Sequence, residues 1–141
     1  MIYGSMYGDN ISQVITVSAT NTYYELTAGV SGGSTNGCTF QNSHELLITK
    51  AGKYLVNYSM SVKVGATNQT VESEVMINGG GQNNTSNHSH ASTANSQMSL
   101  AGSGVLTLAV NDVVSLSVSN NTAVNNITVE HVNLTLLMIG G

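Results

Sequence analysis

Charged side chains are scarce in this sequence of 141 residues. They make up 7% of the chain, against about 25% in ordinary soluble domains, and the only cations among them are three lysines. With a net charge of -4, the chain lacks the basic stripe that contacts to phosphate groups require. The composition therefore argues against nucleic-acid binding and against attraction to anionic membranes.

The sequence also has only one cysteine, no proline and no long apolar run. Cys38 is the only cysteine, so no internal disulfide can form. Its neighbours in TNGCTF would not lower a thiol pKa, so we predict a small buried or half-buried side chain. No apolar run approaches the roughly 20 residues of a membrane span, and the opening MIYGSMYGDN has no signal-peptide pattern. Proline is absent, but 15 glycines and many asparagines supply turn residues. We expect one domain over residues 1–141, without a secretory signal.

Apolar residues recur at every second position along most of the chain, which is the pattern of half-buried strands. The segment KYLVNYSMSVKV alternates from Tyr54 to Val64, and ITVEHVNLTLLMI alternates from Val132 to Met138. Further strands are predicted in ISQVITVSAT, TYYELTA, CTFQNSHELLITK, VESEVMI, GSGVLTLAV and DVVSLSVSN. No helical spacing and no internal repeat is present. The sequence therefore predicts an all-β, antiparallel jelly-roll sandwich.

Several of these strands carry apolar residues on the second face as well. They are Leu55, Val105, Val113, Leu137 and Ile139. A strand face that cannot meet water comfortably indicates contact with another subunit.

Four segments carry a resemblance to a known superfamily: AGKYLVNYSMSV, VMINGG, GSGVLTLAVNDVVSLSV and VNLTLLMIGG. They resemble the trimeric jelly roll of complement globular heads and tumour necrosis factor. The matching positions are Gly52, Tyr54, Asn78, Gly79, Leu108, Asp112, Val114 and Leu116. Asn111 departs from the pattern, because a glycine usually precedes the aspartate. The opening MYGDNISQVITVSATNTYYEL is similar to structural modules of tailed bacteriophage particles.

The resemblance implies a homotrimer in which the last strand lies close to the three-fold axis. Leu137 and Ile139 would then be buried between subunits, with Tyr23 and Tyr24 as further interface candidates. Residues 1–10 either extend from the domain or lie at the trimer interface.

Candidate catalytic pairs are few. His44 and Glu45 are neighbours in a predicted strand, where they would point to opposite faces. Glu72 and Glu74 share one face and could hold a cation or act as acid and base, but we interpret them as charges on an exposed strand edge that deter aggregation. No nucleophile elbow, phosphate-binding loop or cysteine pair is present. The chain is therefore predicted to be a non-enzyme without a cofactor.

The stretch GGGQNNTSNHSHASTANSQ, residues 79–97, has no large apolar side chain. We predict an exposed loop over residues 79–87, followed by an extended segment from His88 to Leu100. The neutral side chains of the loop suit hydrogen bonds to sugar hydroxyls or to another protein. The candidate contact residues are Gln82, Asn83, Asn84, Asn87 and His88. His88 and His90 would share one face, but two imidazoles are half of a usual metal site, so no metal is expected.

These features favour a structural or adhesive head module of a virus particle, either a phage fibre head or a capsid decoration. Such a protein would be assembled in the host cytoplasm and would contact a host-surface glycan or another virion protein. An alternative is a trimeric module of a bacterial or spore surface with the same fold. The third class, a glycan-processing enzyme, lacks a suitable pair of carboxylates.

Overall fold

The computed structural model describes residues 1–141 and contains strands and turns, with no helix that could cross a membrane. The first six strands are β1 (Tyr3–Gly8), β2 (Gln13–Ile15), β3 (Tyr24–Glu25), β4 (Ser31–Gly32), β5 (Cys38–Gln41) and β6 (Glu45–Ile48). The other six are β7 (Gly52–Val64), β8 (Gln69–Ile77), β9 (Gly80–Ala91), β10 (Met98–Leu108), β11 (Val113–Asn120) and β12 (Ile127–Gly140). The prediction of an all-β chain is confirmed.

The strands form two antiparallel sheets that pack face to face. The first sheet has the order β10-β7-β12-β1-β4, and β2 pairs with the far end of β12. The second sheet has the order β5-β6-β11-β8-β9, and β3 pairs with β11. From β6 to β12 the chain crosses from one sheet to the other at every connection except the β8–β9 hairpin. We refer to the two as the first sheet and the second sheet.

The two-residue alternation decides which side chains enter the core. In β7 every second residue from Tyr54 to Val64 is buried, while the residues between them are half-buried or exposed. Within the first sheet, β12 extends this buried face with residues such as Leu134. The buried face of β11 in the second sheet packs against it with residues such as Leu116, and both leucines are fully buried. Each such side chain contributes about 1.5 to 3 kcal/mol on burial. Cys38 is buried in the same core, as predicted.

The polar stretch does not form the predicted loop. After a tight turn in which Asn78 and Gly79 both have positive φ, residues 80–91 continue as β9, paired with β8. The connection to β10 is made by residues 92–97. The predicted loop over residues 79–87 is therefore wrong. Since β9 is an edge strand with only Thr85 and Ala91 buried, it needs almost no apolar residues, and the hydrophobic period could not reveal it.

Side chains of β9 also join the edges of the two sheets. The amide of Asn87 donates to the carbonyl oxygen of Ala101 in β10 at 2.5 Å, and the amide of Asn84 donates to that of Val105 at 3.2 Å. Beneath this seam between β9 and β10, the Tyr58 hydroxyl donates to the carbonyl oxygen of Thr85 at 2.6 Å. The two asparagine bonds satisfy backbone carbonyl groups at the open edge of β10, which would otherwise attract another strand.

Three predicted strands are shorter or interrupted in the structure. The segments at residues 11–20 and 22–28 contain only the short β2 and β3. The segment at residues 38–50 splits into β5 and β6, because Asn42 and Ser43 take positive φ and form a turn with His44. That turn changes where the His44 side chain points.

Candidate functional site

The solvent-facing side of the first sheet carries a continuous apolar row. Tyr3 in β1 pairs with Leu137 in β12, Leu137 pairs with Leu55 in β7, and Leu55 pairs with Val105 in β10. Ile139 lies two residues beyond Leu137 and is 54% exposed. Tyr3 is 36% and Val105 48% exposed, and the two leucines are half-buried. We call these five residues the apolar row.

The rest of this face is polar. Beyond the apolar row, the facing positions hold small serine, threonine and asparagine side chains. A shallow groove crosses this part, with Tyr7, 46% exposed, on one side. The His131 ring lies in the groove with its Nδ1 3.3 Å from the Asp9 carboxylate. The surface thus has an apolar end and a polar end, which is the composition of an interface core with a polar rim.

Tyr23 and Tyr24 lie on the second sheet, away from the apolar row. The hydroxyl of Tyr24 accepts hydrogen bonds from the backbone N–H groups of Ser18 and Ala19, and its ring packs against the core. Tyr23 donates to the Glu72 carboxylate. The tyrosine that does border Leu137 is Tyr3, in the N-terminal strand β1. The surface formed by Leu137 and Ile139 therefore does not include Tyr23 or Tyr24.

The five candidate contact residues of the polar stretch lie in β9 instead of at a loop tip. Residues 83–86 form a four-residue bulge opposite the single residue Glu74 of β8. Asn84 and Asn87 use their amides to hold β10, and the Gln82 amide donates to the carbonyl oxygen of Gly80. The exposed side chains of Asn83 and His88 remain accessible. Replacing residues 80–86 by a turn would remove part of a paired strand.

Glu72 and Glu74 belong to an interior strand, so their interpretation as an exposed charged edge is wrong. Glu72 accepts hydrogen bonds from Tyr23 and from Asn121, the latter at 2.9 Å. The Tyr23 hydrogen bond is the main reason why the pKa of Glu72 is lowered. Glu74 is 3% exposed, and its Oε2 has no hydrogen-bond partner. Burial, followed by the charge of Glu72, raises the pKa of Glu74.

These opposite shifts predict opposite pH dependences of stability. The lowered pKa of Glu72 contributes stability that is present above the ordinary carboxyl pKa and is lost as the pH falls through the folded-state value. The raised pKa of Glu74 contributes stability that is present below the ordinary pKa and is lost as the pH rises through the folded-state value. At neutral pH, Glu74→Gln is expected to raise the free energy of unfolding by about 1 kcal/mol and Glu72→Gln to lower it by a similar amount.

Urea unfolding from mild acid to neutral pH checks this pair of variants. The gain from Glu74→Gln should shrink as the pH falls towards the ordinary carboxyl pKa, whereas the loss from Glu72→Gln should shrink only below that pKa, to which the measurement is extended. A Glu74→Gln variant that is less stable than the wild type at neutral pH would show that the buried carboxylate has a stabilising partner.

His44 and Glu45 lie side by side, which corrects the expectation that they point to opposite faces. His44 belongs to the turn before β6, so the alternation of a strand does not apply to it. Its Nε2 is 3.4 Å from Oε2 of Glu45 and 2.9 Å from Oε1 of Glu25. His88 and His90 do share one face of β9, opposite Glu72 and Thr70, and His90 Nδ1 lies 2.9 Å from the Thr70 hydroxyl.

Comparison with solved structures identifies the architecture. The tumour necrosis factor Eiger from S. frugiperda matches with a TM-score of 0.71 and 12% sequence identity, over 99% of this chain and 94% of that one. The globular domain of the zebrafish complement 1qA protein matches with a TM-score of 0.58 and 12% identity, over 99% and 98% of the two chains. The fold is the jelly roll of these heads. No protein-family model matches the chain, and no curated protein does.

Proposed function

We propose that the chain is a non-enzymatic head module that assembles as a homotrimer and is displayed on a virus particle. The jelly-roll fold of the tumour necrosis factor and complement heads fits such a module. The observation that carries the proposal is the apolar row on the first sheet. In three copies around an axis, the row would be covered by its equivalents.

The physical argument rests on the continuity of the row. Single exposed apolar residues are common on soluble proteins, but Tyr3, Leu137, Leu55 and Val105 are direct neighbours across four strands. Burying each large apolar side chain contributes about 1.5 to 3 kcal/mol, and three subunits bury the row three times. The polar remainder of the face can stay hydrated at the rim.

The placement on a virus particle rests on the chemistry of the remaining surface. The chain achieves solubility through Asn, Ser and Thr, with only ten charged residues, which suits a surface exposed outside the cell. The opening segment is similar to structural modules of tailed phage particles. A trimer presents each contact residue, such as Asn83 and His88, in three copies, so weak contacts with a host-surface glycan or a virion protein would gain avidity.

Two observations on the native source test this placement. Mass spectrometry of purified particles should detect the chain, and capsid and tail genes should neighbour its gene. Coat or collagen-like genes in that position would support the alternative, a bacterial or spore-surface module of the same fold. Peptides absent from purified particles would contradict the virion proposal and leave the trimer proposal intact.

Attachment to host cells is the functional readout. We expect the trimer to bind cells at least about a hundredfold more tightly than a monomeric variant, since avidity multiplies three weak contacts. Equal binding by trimer and monomer would contradict the adhesive role.

A further inference from the structure

Three potential metal ligands converge on the second sheet, on the side of β11 opposite to Glu72 and Glu74. They are Glu25 at the end of β3, His44 in the turn after β5, and Glu45 at the start of β6. The ligand atoms of the three side chains all lie within 4.8 Å of one another. The strands β3 and β6 pair with successive parts of β11, which brings Glu25 and Glu45 together although 20 residues separate them in sequence.

The orientation of the His44 ring leaves its Nε2 facing two acceptors. Nδ1 lies 2.5 Å from the carbonyl oxygen of Asn42, and because a carbonyl can only accept, Nδ1 carries the proton and donates. In a neutral ring Nε2 is then a lone-pair atom, which faces Oε1 of Glu25 at 2.9 Å and Oε2 of Glu45 at 3.4 Å. Three lone-pair atoms at these distances require a cation between them, either a proton on Nε2 or a metal ion.

The other oxygen of each carboxylate is already held by a donor. The Ser115 hydroxyl donates to Oε2 of Glu25 at 2.9 Å. The amides of Gln41 and Asn42 donate to Oε1 of Glu45 at 2.8 and 2.6 Å. Outer hydrogen bonds of this kind orient the ligands of metal sites and keep the binding atoms free.

The Glu45 carboxylate is the most constrained member of the group. Glu45 is 8% exposed. The His44 ring is the only group that faces its Oε2 at close range. Burial alone would raise the pKa of Glu45, but the hydrogen bonds from Gln41 and Asn42, with the nearby His44, outweigh burial and lower the pKa. The hydrogen bonds from Gln41 and Asn42 to Oε1 thus orient the carboxylate with its Oε2 towards His44.

The donor set and the local charge select the class of ion. Two carboxylates and a neutral imidazole leave a local charge of -2, and the one lysine ion pair of the chain, Lys63 with Glu130, does not involve them. Zinc binds nitrogen and oxygen at about 2.0 to 2.2 Å, so tetrahedral ligands stand about 3.4 Å apart, close to the distances seen here. Calcium favours six or more oxygen ligands and magnesium an octahedral oxygen shell.

We propose that Glu25, His44 and Glu45 form a binding site for one divalent transition-metal ion of the zinc type. The Glu25 side chain is 29% exposed, so water can reach the site and supply the fourth ligand. The bound ion would tie β3 to β6 and to the turn that precedes it. Both β3 and β6 pair with β11, but they do not pair with each other. The role is structural, and it is independent of the assembly surface on the first sheet.

The site is tested by calorimetric titration of the full chain with zinc chloride near neutral pH. The chain is first treated with a chelator. We expect the wild type to bind one ion per chain. Each of His44→Gln and Glu45→Gln removes one ligand and is expected to weaken binding by about tenfold or more. Glu25→Gln should do the same while keeping an oxygen acceptor for Ser115.

Matched histidine variants control for adventitious binding. His131→Gln removes a histidine that faces one carboxylate on the first sheet, and the double variant His88→Gln with His90→Gln removes the pair on β9. Both controls should bind zinc as the wild type does. Zinc binding lost in the β9 double variant and retained in His44→Gln would overturn the proposal.

Thermal unfolding separates binding from misfolding. Zinc should raise the unfolding temperature of the wild type, because the ion binds the folded chain, and at the same zinc concentration it should raise that of His44→Gln by less. Similar unfolding temperatures of both proteins in chelator would show that the variant folds. A wild type that neither binds zinc in calorimetry nor gains stability from it would show that the three side chains form only an ion pair with protonated His44.

Discussion

Replacing Leu137 with glutamate is expected to convert the proposed trimer into a monomer. Leu137 lies at the centre of the apolar row, between Tyr3 and Leu55. The substitution removes an apolar contact worth about 1.5 to 3 kcal/mol and places a carboxylate where each subunit would bury it, which costs several kcal/mol more. Because the side chain faces away from the core, the chain itself should still fold. Native mass spectrometry should show a threefold drop in mass.

Val124→Glu is the matched control for this variant. Val124 is 59% exposed and lies in the turn between β11 and β12, outside the apolar row. The control should keep the mass of the wild type. A Leu137→Glu protein with the same mass as the wild type would show that the apolar row is not the assembly surface.

Replacing Gly102 with valine is expected to lower the free energy of unfolding by about 3 kcal/mol. Any side chain at this position would place its Cβ atom 2.5 Å from the carbonyl oxygen of Thr85. The same atom would lie 2.8 Å from the ring and from the hydroxyl of Tyr58. Backbone and side chain would have to separate, which would break the hydrogen bond from Tyr58 to Thr85 and open the seam between β9 and β10. Urea unfolding measures the loss.

Gly102→Ala should show most of the same loss, because the clash involves Cβ itself. Gly65→Ala is the control, since its nearest contact would be 3.7 Å from the Asn95 side chain and its φ is not positive. The control should change stability by less than about 0.5 kcal/mol. A Gly102→Ala protein as stable as the wild type would contradict the close approach of the two sheet edges.

The fold could be predicted where one strand face is buried and the other is not. The alternation from Tyr54 to Val64 and in the last strand identified β7 and β12. β9 was missed because an edge strand that buries only Thr85 and Ala91 has no apolar period. Its pairing is fixed by backbone hydrogen bonds to β8 and by asparagine side chains, and neither leaves a two-residue pattern in the sequence.

The sequence contains only part of the information needed to predict the two sites, the apolar row and the group around His44. Apolar second faces identified Leu55, Val105, Leu137 and Ile139, but the register that aligns three of them with Tyr3 requires knowledge of the strand order. The group around His44 depends on a turn with two positive φ values and on the distant Glu25. The one available signal was NSH between two apolar runs, since asparagine and serine favour turns and place His44 outside the strand alternation.

The mass of the wild-type protein in solution tests the central proposal most directly. Multi-angle light scattering at micromolar concentration should give about three times the chain mass of 14.6 kDa. The same value should hold on dilution through the micromolar range, because the apolar row would be buried three times. A monodisperse species with the mass of a single chain would contradict the trimer and the adhesive function that depends on it.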